Sequence, residues 1–78
     1  MKSMYKIKLD INDVNDFLKI ANTITNDINL AQGSSVVSGK SLMGIFSLNL
    51  SEPINLIIRD LSEEEESIIN KFENWIIE

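Results

Sequence analysis

Residues 28–48 read INLAQGSSVVSGKSLMGIFSL, and the two halves of this stretch ask for different structures. INLAQ and SVVS flank Gly33-Ser34, and a glycine first in a two-residue loop suits a type II′ hairpin. Two antiparallel strands are therefore predicted, over 28–32 and 35–38. From Ser41 the pattern turns helical but short. Gly44 costs a helix interior roughly 1 kcal/mol relative to Ala, so SLMGIFSL needs tertiary support. Leu42, Met43 and Phe46 sit there beside Lys40 and two serines. Either they are core beneath a short helix, or they form a surface that is touched.

Towards the N-terminus, Tyr5, Ile7, Leu9 and Ile11 alternate with Lys6, Lys8 and Asp10, a period of two that predicts a strand over 4–9 with one wet face. Val14, Phe17, Leu18, Ala21 and Ile24 then draw one helical stripe. Asn12 is read as the cap of that helix, Asp13 and Asp16 suit its positive end, and Asn26-Asp27 ends it. Towards the C-terminus, Pro53 introduces INLIIRD. Ile54, Leu56 and Ile58 point one way and Ile57 the other, so this strand belongs well inside a sheet. In LSEEEESIINKFENWIIE, Ser62 with Glu65 reads as a capping box, and Ile68, Ile69, Phe72, Trp75 and Ile76 as the apolar face. The acidic run is read as a helix start and a solvated face.

The order strand, helix, strand, strand, short helix, strand, helix is α+β: one antiparallel sheet with helices on one face, expected as a single domain over residues 1–78. Seventy-eight residues bury only roughly 60% of the surface of the unfolded chain. With no cysteine and no histidine, disulfides, Cys or His metal sites and histidine catalysis are excluded. The net charge of −5 with scattered cations argues against nucleic acid. No apolar run approaches the ~18 residues that span a bilayer, and MKSMYKIKLD lacks a signal-peptide core, so a soluble cytoplasmic protein is expected. No motif points to a nucleotide, a metal or another cofactor.

GKSLMGIFSL resembles the signature around the regulatory serine of the HPr family, the phosphocarriers of the bacterial sugar phosphotransferase system. The family's lysine-serine pair, aliphatic residue, Met-Gly, two apolar residues and Ser-Leu are met in turn by Lys40, Ser41, Leu42, Met43, Gly44, Ile45, Phe46, Ser47 and Leu48. Element order and length match as well. The resemblance implies an open-faced β-sandwich, β-α-β-β-α-β-α, with sheet order 1-4-2-3. A second family signature is a phosphorylated histidine followed by an arginine and a proline at the start of the first helix. The ungapped match puts Asp10, Asn12 and Asp13 at those positions, to within a residue. Nucleophile and cation are both missing. At about 5 Å and an effective dielectric of 20, each nearby acid would repel a unit negative charge by roughly 3 kcal/mol, less in salt.

The branch of the family that lacks the histidine but keeps the serine, the catabolite-repression homologues (Crh), is closest in logic. By that resemblance Ser41 is a substrate of HPr kinase/phosphorylase, and the modified chain binds a catabolite-control repressor. Lys40, Met43, Phe46 and Ser47 are carried over as the docking surface, with no catalytic residue and no enzyme activity. Leu42 and Ile45, or Leu48, are expected to turn inward, and Met43 and Phe46 outward. Two alternatives stay open. One is a binding module or degenerate paralogue that needs no phosphate, which Asn12 at the arginine position favours. The other, more remote, is a carrier with an unusual acceptor at Asp10. Monomer or strand-swapped dimer is not decided.

Overall fold

A computed structural model describes residues 2–60 and 65–78. Strands β1 (Lys2–Ile7), β2 (Ile28–Gln32), β3 (Ser35–Ser38) and β4 (Ile54–Arg59) form one antiparallel sheet in the order β1-β4-β2-β3. Helices α1 (Val14–Asn22), α2 (Leu42–Phe46) and α3 (Glu65–Asn70) complete the α+β arrangement. This is the order that the resemblance implies. β4 pairs β1 on one side and β2 on the other, which explains its two apolar faces. Ile54, Leu56 and Ile58 are buried, and Ile57 lies half-buried on the opposite face. The proposed Ser62–Glu65 capping box rests on Ser62, which lies outside the described residues.

The hairpin falls where the sequence puts it, with Gln32 opposite Ser35. Gly33 has φ +61°, whereas Ser34 does not adopt a positive φ, as a type II′ turn requires. The core forms where period-two residues of the sheet meet the stripes of the helices. Ile7, Ile28, Leu30 and Leu56 face Val14, Phe17, Ile45 and Phe72, all buried. Phe17, Phe72 and Trp75 pack their rings together, with centroids 5.2–6.3 Å apart in tilted and edge-on arrangements. That geometry favours the aromatic quadrupoles. Trp75 is thus core.

Several expectations need correction. β1 ends at Ile7, two residues early, and Ile11 is exposed, because a 3-10 turn at Ile11–Asp13 resets the alternation. α1 stops at Asn22, before Asn26-Asp27, with Thr23 Oγ1 donating to the Ile20 carbonyl. α3 ends at Asn70, short of the full apolar stripe. Beyond it the chain turns, and Ile76 makes an antiparallel bridge to Ile7. The Lys6 and Lys8 amides donate to the carbonyls of Glu78 and Trp75, and the Ile77 amide returns a bond to Lys6. The C-terminal residues therefore lie along the outer edge of β1, where unpaired strand groups would otherwise meet solvent.

Candidate functional site

Two helix starts carry the candidate chemistry, and each is closed by its own side chains. At the first, the Asp10 carboxylate accepts from the Asn12 amide at 3.3 Å, and the Asp10 amide donates to the Asp13 carboxylate at 3.0 Å. This is a reciprocal capping box built from two aspartates, and Asp10 replaces Asn12 as the expected cap. Asp13 also leads directly into α1, whose first turn adds Asp16. The Asn12 and Asp10 amides are thus engaged by carboxylates, whose charge opposes a phosphoryl group at this turn. Among the described residues the one ion pair is Lys6–Glu78, at 3.8 Å and exposed, so no cation offsets these acids at contact distance.

At the second, Ser41 is the cap of α2. It has extended backbone (φ −113°, ψ 123°), and its hydroxyl accepts from the Gly44 amide at 3.1 Å. Its carbonyl takes the Ile45 amide at 3.0 Å, and its own amide donates to Ser38. Ser41 is half-buried and carries no charge. The loop before it is tightly built. Gly39 is buried, its amide bonded to the Ile28 carbonyl at 2.8 Å, and a Cβ there would stand 2.6 Å from the Ile28 Cγ2. Close approach, not freedom of rotation, demands glycine. Gly44 lets α2 settle on β3, since a Cβ would lie 3.2 Å from both the Ser38 carbonyl oxygen and the Val37 Cβ. This contact is the tertiary support that the short helix lacks on its own.

The structure separates the five residues assigned to the second site. Met43 and Phe46 are 84% and 48% exposed, one turn apart. Leu42, expected inward, is 46% exposed, whereas Ile45 and Leu48 are buried. A helix of five residues presents one narrow inward face, which Ile45 takes, and Leu48 turns inward just past its end. Ser47 is exposed, and its hydroxyl donates to the Gly44 carbonyl at 2.6 Å. Lys40 commits its amine to the Ile24 carbonyl just beyond α1, where a cation suits the helix's negative end. That bond is long-range and has no signature in the local sequence. A groove of about 150 Å³ lies nearby, lined by Thr23–Asn26, Ser67, Ile68 and Lys71. Asn26 in it is already spent on the carbonyls of Arg59 and Asp60.

The chain has the HPr-like fold. It superposes on HPr-C-His from Thermoanaerobacter tengcongensis with a TM-score of 0.68 at 23% identity, covering 95% of this chain and 88% of that one. The phosphocarrier protein HPr from Bacillus anthracis gives 0.68 at 19% identity, over 97% and 95%. A histidine-containing phosphocarrier protein of Mycoplasma gives 0.67 at 14%, over 95% and 89%. This chain, by contrast, contains no histidine. No protein-family model and no curated protein matches it. Among the described residues no helix is long and apolar enough to cross a membrane.

Proposed function

We propose that the chain is a cytoplasmic, non-enzymatic regulatory protein on the HPr scaffold. In this reading Ser41 is phosphorylated by an HPr kinase/phosphorylase, and the modified face binds a protein such as a catabolite-control repressor. The observation that carries it is the contrast between a closed acidic start at Asp10 and a neutral, half-exposed hydroxyl at Ser41 flanked by exposed Met43 and Phe46. A phosphate on Ser41 adds about −1.5 to −2 charge at the positive end of a short helix, so the surface changes while the fold stays. Lys40 would have to leave Ile24 to pair with it.

The test is intact mass after incubation with ATP and an HPr kinase. One added phosphate, absent in Ser41→Ala, supports the reading. An unmodified mass removes it and leaves the binding module that works without phosphorylation, a reading favoured by the aspartates around Asn12. Phosphate gained from phosphoenolpyruvate and Enzyme I would instead mark a carrier with an acceptor other than histidine.

A further inference from the structure

A methionine ordinarily fills gaps in a core, where its thioether is shielded. Met43 does the opposite. At 84% it is the most exposed large apolar side chain among the described residues. It takes no part in the hydrophobic core, where Ile45 anchors α2 and Leu48 follows just past the helix end. Leu42 and Phe46, each about half exposed, complete the patch around it. The chain has no cysteine, so methionine supplies all of its sulfur, and thioether oxidation follows exposure. Residues 41–51 carry no charge, so the surface character of this stretch rests on its apolar side chains.

We propose that Met43 is a reversible oxidation site, with a hydroperoxide as the oxidant and a methionine sulfoxide reductase as the enzyme that restores it. The thioether sulfur attacks one peroxide oxygen. An S–O bond forms as the O–O bond breaks, the sulfur gives up two electrons, and the departing oxygen takes up a proton and leaves as water or an alcohol. In the return step two thiols of the reductase become a disulfide, and the oxygen leaves as water. The product is a polar, chiral sulfoxide in the middle of an apolar patch. The fold does not depend on this side chain, so the modification changes the surface and spares the core. Met4, 64% exposed on β1, is a second thioether open to peroxide, but it belongs to another element.

The test is hydrogen peroxide treatment followed by tryptic peptide mapping, with free methionine in the same tube as the reference. Cleavage after Lys40 and Arg59 isolates Met43 in a peptide of residues 41–59, apart from Met1 and Met4. That peptide should gain one oxygen at a rate on the order of that of free methionine. The melting temperature should hold within about 4 °C. Retention of the folded protein on a phenyl matrix should shorten and return after reductase treatment, and Met43→Leu should lose most of that shift. A peptide that stays unmodified while free methionine reacts overturns the inference. So does a larger fall in melting temperature, a sulfoxide that the reductase does not reverse, or a retention shift as large in Met43→Leu, which would place the change at Met1 or Met4. No kinase or phosphate enters the experiment, so its result is independent of whether Ser41 is modified.

Discussion

The 3-10 turn that leads into α1 and the start of α2 use one device with different chemistry. Both close their first free amides with a side-chain oxygen from the preceding residues. At Asp10 the oxygen belongs to a carboxylate and is joined by Asp13, so stability and anion binding compete for the same donors. At Ser41 the oxygen is a hydroxyl, which caps without charge and leaves the positive helix end able to accept a negative group later. A scaffold shared with phosphocarriers thus enters its first helix through a turn capped by acids, whose charge opposes that of a phosphate. Its second helix start is capped by an uncharged hydroxyl.

Substitutions can break or sharpen that contrast. The largest stability effect is expected from Gly39→Ala, where the new methyl would strike the branched side chain of Ile28. Overpacking of this kind costs about 1–3 kcal/mol, and about 2 kcal/mol should lower the melting temperature by roughly 8–16 °C in a domain of this size. Asp10→Ala should cost about 1 kcal/mol in denaturant titration, and Ser41→Ala a similar amount, since each removes one cap. Ser41→Asp sharpens the comparison. Aspartate caps as well as serine, so stability should stay within about 0.5 kcal/mol of the parent although a charge has been added. Met43→Gln should leave stability within about 0.5 kcal/mol, because the side chain lies in solvent, while it weakens any partner that docks on α2.

The parts that can be read in the sequence are those governed by local pattern. The Gly33-Ser34 hairpin follows from a glycine first in a two-residue loop, and the interior position of β4 from apolar residues on both of its faces. The start of α1 was harder to read because DIND offers three capping side chains within four residues, and the path of the turn decides among them. Helical spacing alone could not show that Ile76 leaves the helix, since a residue three or four beyond Phe72 fits a stripe as well as it fits a bridge to Ile7. At the candidate site, the capping role of Ser41 could be read from Ser before an apolar run. The Lys40 bond to Ile24 could not, because its partners are sixteen residues apart. Leu42 turns outward because a helix this short cannot bury every apolar residue it carries.

The ring cluster of Phe17, Phe72 and Trp75 gives the chain an optical gauge of its own. Trp75 is the sole indole, and it reports on the junction of α1 with the C-terminal segment through Phe17 and Phe72, both outside α2. Its fluorescence should shift to the red as that junction opens, and should stay constant when something binds at Met43. One chromophore therefore distinguishes loss of fold from occupancy of the surface, without a label.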